Sequence, residues 1–238
     1  MFGRHKAATL VAEFLGTGAL TLLILSVQRS TIGVPFFIAA AAGLTVTLMW
    51  LAVGKKSGGY FNPALVIGFW TVRKINTATA VLYIAVQLLG AWAAYGLYTY
   101  LVNNTLQPVG GEFSSRILVA ETVGTALFAF GVAAAIYQRL TVAVTATMAG
   151  LALMIGIIAA SPASLGLLNP AVALGVRAWV LGTYVLGPVL GAIIGINLYA
   201  LLFADKGSNS SAKVVAAPAA VTKKPVAKKK KAPAKKKK

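Results

Sequence analysis

The chain has 238 residues, of which 58% are hydrophobic and only 11% charged, too apolar a balance for the surface of a soluble domain of this size. It has no cysteine, which excludes disulfides, thiolate catalysis and cysteine-based metal sites, and its one histidine, His5, reads as a solvated terminal residue between Arg4 and Lys6. The formal net charge of +18 is unevenly placed: twelve of the 22 Lys and Arg residues lie from Lys206 onward, leaving +7 for residues 1–204.

Six apolar runs are each long enough to cross a bilayer, which takes about 20 helical residues. In chain order they cover 7–27, 34–53, 75–102, 117–137, 140–160 and 178–204. The first carries Glu13 and shows no cleavage pattern before it, so it is expected to be retained as a span. Two connections are unusual. Residues 55–74 and 161–177 are too short and interrupted to span, yet 64–70 and 171–176 within them are apolar. From 205 to 238 follows a tail of Ala, Lys, Pro and Val with no aromatic residue, expected to be disordered and able to bind anionic lipid or nucleic acid by charge.

Six spans put both termini on one side. With that side cytoplasmic, it receives Arg4, Lys6, Lys55, Lys56, Arg73, Lys74 and Arg139, and the other side Arg29, Arg116 and Arg177. Seven against three follows the positive-inside rule even before the tail is counted. The expected protein is therefore a multi-pass membrane protein with cytoplasmic termini.

The chain repeats itself. Ala12-Glu13-x-x-Gly16-Thr17 returns as Ala120-Glu121-x-x-Gly124-Thr125, 108 residues on. Ala42-Gly43-Leu44 returns as Ala149-Gly150-Leu151, and Asn62-Pro63-Ala64 as Asn169-Pro170-Ala171, both 107 residues on. The repeats, 7–102 and 117–204, hold three spans each. An odd number makes the second copy enter from the opposite face, an inverted repeat with its axis in the membrane plane. Proline suits a first helical turn and asparagine an N-cap, so short re-entrant helices are expected to begin at Pro63 and Pro170 with their N-termini converging. Irregular backbone at membrane depth survives only when it is buried or lines a wet cavity, so a pore or binding site is expected there. Two converging helix N-termini disfavour cations, while the amides of Asn62 and Asn169 can donate hydrogen bonds to a neutral solute.

These residues resemble the aquaporin and glycerol-facilitator family, the major intrinsic proteins. The resemblance rests on Ser57-Gly58-Gly59-Tyr60-Phe61-Asn62-Pro63-Ala64 and on the second Asn169-Pro170-Ala171. Ala12-Glu13-Phe14-Leu15-Gly16-Thr17, Gln87-Leu88-Leu89-Gly90-Ala91 and Gly187-Pro188-Val189-Leu190-Gly191-Ala192 support it. It implies an all-α membrane protein of six transmembrane helices plus two re-entrant half-helices, a homotetramer with one pore per subunit, and no cofactor. It also implies that Glu13 and Glu121 brace the re-entrant loops by accepting backbone hydrogen bonds; a titrating role in a proton-coupled transporter is the alternative.

The family's four-residue outer filter maps by spacing onto Ala42, Ile157, Gly166 and Val172. Val172 stands where the family carries an arginine. Arg177, five helical residues further, is displaced by roughly 7.5 Å and about 140° and cannot take that place; it is expected to face headgroups or another subunit. The expected function is a passive channel for water or small uncharged solutes such as glycerol, urea or ammonia, with an apolar filter. Two readings of other classes stay open on the residues alone: an alternating-access secondary transporter, and a membrane anchor for the polybasic tail. No nucleophile–base pair or metal cluster is visible, so catalysis is not expected.

Overall fold

The computed structural model describes residues 4–109 and 111–204, and the expected disordered tail at 205–238 lies outside these. Eight helices form the described chain. Helix α1 is Arg4–Gln28, and α2 is Pro35–Met49, continued by a π-helical turn Trp50–Gly54 and a last turn Lys55–Ser57. They are followed by α3 (Pro63–Thr71), α4 (Thr77–Val102), α5 (Ser115–Tyr137) and α6 (Val142–Ala160). The short α7 (Pro170–Gly175) and then α8 (Leu186–Leu202), entered through a second π-helical turn Leu181–Val185, complete the order. Six of these are long and apolar enough to cross a membrane, and α3 and α7 are not.

The termini of the helices follow from local chemistry. Asn76, Ser114 and Thr141 cap α4, α5 and α6, accepting from the N–H groups of Thr79, Ile117 and Val144. Proline occupies the first turn of α2, α3 and α7, where its missing N–H is not needed. The second span is longer than its apolar run indicates. Helical bonding continues past Val53 to Ser57 and stops only at Gly58, whose φ of 101° is left-handed. The sixth span starts at Leu181, later than residue 178, because Arg177 adopts a left-handed φ of 67° and ends the preceding segment.

The packing repeats with the sequence. Within each repeat the first helix lies on the third: α1 on α4, and α5 on α8. Small residues set these approaches, since a Cβ on Gly18 would lie 3.2 Å from the Gly90 carbonyl oxygen, and one on Gly191 would overlap that of Thr122. The two second helices, α2 and α6, cross each other at Gly43 and Gly150, where a Cβ on Gly43 would come within 2.7 Å of the Gly150 carbonyl. Each half-helix lodges against the third helix of the opposite repeat. Gly68 of α3 sits on Ala192 of α8, and Gly175 of α7 on Ala91 of α4.

Polarity is distributed the reverse of a soluble protein. Leu44, Leu48, Leu201 and Tyr100 stand on the outside, while Glu13, Gln87, Glu121 and Asn169 are buried. An apolar exterior around a polar centre is stable where the surrounding solvent is hydrocarbon.

Candidate channel site

The two half-helices meet end to end at Asn62 and Asn169. Each is an N-cap with extended backbone: Oδ1 of Asn62 accepts from the Ala64 N–H at 2.8 Å, and Oδ1 of Asn169 from the Ala171 N–H at 2.9 Å. With the oxygens committed inward, both amide nitrogens face the opposite loop. Asn62 Nδ2 donates to the Leu168 carbonyl and Asn169 Nδ2 to the Phe61 carbonyl, both at 2.8 Å. Asn62 and Asn169 are each about 98–99% buried, with 2% and 1% of their surface exposed.

The loops entering these helices have matching backbones. Gly59 and Gly166 both have φ of 65°, and Phe61 and Leu168 have 49° and 51°. Left-handed backbone is natural for glycine and costs a Phe or Leu about 1 kcal/mol or more, so something must hold the loops in place. A carboxylate does so in each repeat. Glu13 accepts from the N–H of Tyr60 at 3.1 Å and of Phe61 at 2.7 Å. Glu121 accepts from Leu167 at 3.0 Å and Leu168 at 2.7 Å.

Gln87 and Ser57 stand in the quoted motifs without a role that their residue type assigns, and Ser164 stands outside those motifs. Gln87 of α4 donates Nε2–H to Glu13 at 2.7 Å, and the Ser164 hydroxyl bonds to Glu121. Ser57 and Ser164, 107 residues apart, accept from the N–H of Gly59 and Gly166 at 3.2 and 3.1 Å. The same offset that paired the asparagines would have found this serine pair; Gln87 carried no counterpart in the second repeat to mark it.

The residues mapped to the outer filter, Ala42, Ile157, Gly166 and Val172, are all buried in the bundle. Ile157 and Gly166 are in direct register, since a Cβ on Gly166 would lie 3.1 Å from Ile157 Cγ2. The Val172 N–H adds a second, longer bond to Asn169 Oδ1 at 3.3 Å. Arg177, five residues beyond Val172, is half-buried and has a partner inside the bundle. It folds back on α4, with Nη1 donating to Tyr95 Oη at 3.3 Å and the guanidinium 5.8 Å from that ring. The aromatic face and hydroxyl of Tyr95 give the half-buried guanidinium a cation–π and hydrogen-bonding partner.

Two opposed half-helices closed over a six-helix inverted bundle, with cap amides at the junction, define a membrane channel fold. The model of the major intrinsic protein family matches residues 4–203. Aquaporin Z of Photorhabdus laumondii is 31% identical over 226 residues, covering 83% of this chain and 98% of its own length. Aquaporin AqpM of Methanothermobacter thermautotrophicus is 29% identical, with 82% of this chain and 97% of the relative covered. Nodulin-26 of Glycine max is 30% identical, with 86% and 81% covered. Among solved structures, the aquaglyceroporin from Plasmodium falciparum has the same fold, with a TM-score of 0.66 at 20% identity over 82% of this chain and 96% of that one. The chain belongs to the major intrinsic protein family. It is an integral multi-pass channel protein of that family and not an enzyme.

Proposed function

We propose that the protein is a passive pore for water and small uncharged solutes, glycerol, urea and ammonia among them, and that it excludes ions at the paired Asn-Pro-Ala ends. The observation that carries this reading is the reciprocal bonding of Asn62 and Asn169. An amide nitrogen has two hydrogens, and the cross-loop bond uses one, leaving one on each side for a passing oxygen. An ion entering the same place exchanges its water shell for two amides and apolar walls, an unfavourable exchange for any charge. A cation also meets the partial positive charge of the half-helix ends.

Specificity in this reading comes from what the outer filter lacks. Ala42, Ile157, Gly166 and Val172 offer no side-chain donor and no fixed charge. A filter without a donor does not favour water over a small polyol or amide, so the pore is wider and less water-selective than one closed by an arginine. Glu13 and Glu121 hold the loops, and their three-donor sets favour bracing over proton coupling. The subunits assemble as a homotetramer within the bilayer, with residues 1–204 as the channel domain and both termini cytoplasmic, and the lysine-rich 205–238 tail binds anionic lipid or nucleic acid by charge.

Stopped-flow light scattering of proteoliposomes under water, glycerol, urea and ammonia gradients tests this, with Val172→Arg beside the wild type. Wild-type flux of both water and at least one larger neutral solute is expected, with the glycerol-to-water ratio falling in the variant. Water flux alone, with no flux of glycerol, urea or ammonia, would refute the broad selectivity. Saturable flux coupled to an ion gradient would refute the passive channel.

A further inference from the structure

The 107-residue offset carries the outer filter onto a second ring in the inner half of the bundle. Ala42, Ile157, Gly166 and Val172 correspond to Ala149, Trp50, Gly59 and Leu65. All four counterparts are buried, and Gly59 has the same φ of 65° as Gly166. The contact is reproduced too. Where a Cβ on Gly166 would meet Ile157, one on Gly59 would overlap the Trp50 indole at Nε1 and lie 2.5 Å from Cδ1. Trp50 therefore occupies, from the opposite face, the place that Ile157 occupies in the outer filter.

Trp50 shares with its counterpart a buried face at four-residue steps, Ala149 and Leu153 leading to Ile157 as Ala42 and Val46 lead to Trp50. It is thus turned to the same interior as the mapped filter position Ala42, and differs from Ile157 in two other features. It is the first residue of the π-helical turn Trp50–Gly54, a local widening of the helix that recurs at functional positions. Its indole lies between Gly54 and Gly59, 3% exposed, yet among the described residues its N–H meets no acceptor. Tyr60 Oη, on the same loop and equally buried, is likewise without a protein partner. Buried N–H and O–H groups are nearly always satisfied, and the oxygen of a permeating solute beside Trp50 would satisfy its N–H.

We propose that this inner ring of Trp50, Gly59, Leu65 and Ala149 is the protein's selectivity constriction, with the Trp50 N–H donating to the oxygen of a permeating water or small neutral hydroxyl or amide solute. The inference rests on the pore reading above, and it moves discrimination from the apolar outer filter to the inner half. Trp50 sets both terms. Its ring fixes the width, since Gly59 cannot yield a larger gap, and its N–H is the ring's one side-chain donor.

The test uses the full chain in proteoliposomes with Trp50→Phe, Trp50→Ala and Ala149→Leu, each checked for monodispersity and helical content. Trp50→Phe keeps the ring and removes the donor. It should lower water permeability about two- to tenfold, the effect of one net hydrogen bond on a rate, and leave the largest permeant polyol unchanged. Trp50→Ala should admit a longer polyol than the wild type. Ala149→Leu narrows the ring from the facing helix and should cut glycerol flux more than water flux, so it decides the matter if the Trp50 variants do not fold. Wild-type flux with all folded variants unchanged would overturn this proposal and leave the pore reading standing. No wild-type flux of any neutral solute would overturn both.

Discussion

Asn62 and Asn169 each donate to the carbonyl of the residue that precedes the other, Leu168 and Phe61, across equal distances of 2.8 Å. The two half-helices are thereby tied at their N-termini although they belong to different repeats and lie 107 residues apart. Replacing Asn62 with Ala removes an N-cap, worth about 0.5–2 kcal/mol, and the cross-loop bond, about 0.5–1.5 kcal/mol. Asn62→Ala and Asn169→Ala are each expected to lower the thermal midpoint in detergent. The double variant should lose less than the sum, because each single change already breaks part of one shared junction.

Glu121 accepts from two backbone N–H groups and the Ser164 hydroxyl. Glutamine in its place keeps the volume but turns an NH2 toward one of those donors. Leaving a buried donor unsatisfied costs about 1–3 kcal/mol. Glu121→Gln is expected to destabilise by that order and to reduce solute flux, since Leu168 at φ 51° loses part of its support. Unchanged melting and unchanged flux would remove the bracing role.

The α2–α6 crossing gives a contrast between two glycines. A Cβ on Gly150 would overlap Thr47 Oγ1 and the Gly43 carbonyl, whereas one on Gly96 would meet nothing within 4 Å. Gly150→Ala is expected to destabilise by about 1–3 kcal/mol through overpacking. Gly96→Ala, in the C-terminal third of α4, should be neutral or stabilise by up to about 1 kcal/mol. Differential scanning fluorimetry on the two purified variants reads both signs.

Lysines near an anionic bilayer contribute roughly 1 kcal/mol each, and the segment from Lys206 onward holds twelve of them. Deleting 206–238 is expected to leave solute permeability within twofold of the full chain. Binding of the isolated tail peptide to phosphatidylserine vesicles should be strong at low salt and fall steeply as salt rises. A large loss of permeability on deletion would give the tail a part in conduction.

Much of this architecture could be read from residues alone, because its signals are local or periodic. Apolar run length reports spans, and Asn-Pro pairs report where the half-helices begin. An odd number of spans per repeat forces the inversion. The roles that stayed out of reach belong to contacts between distant segments. Gln87 reaches Glu13 from 74 residues away, and Arg177 turns onto Tyr95 across 82, neither marked by spacing or composition. The π-helical turn at Trp50 has no apolar signature, since a widened turn in an apolar run is still an apolar run.

Hydropathy, proline geometry and a nearly constant internal offset specify the class of protein and the place of its centre, because each acts through short stretches of chain or simple spacing. What each central group is bonded to depends on the folded bundle. Hydrogen-bond partners depend on which carbonyls and amides the folded bundle brings within about 3 Å, and that is a property of the packing of α1 to α8 against one another. The exchange of bonds between Asn62 and Asn169, and the unpartnered N–H of Trp50, exist only at that level.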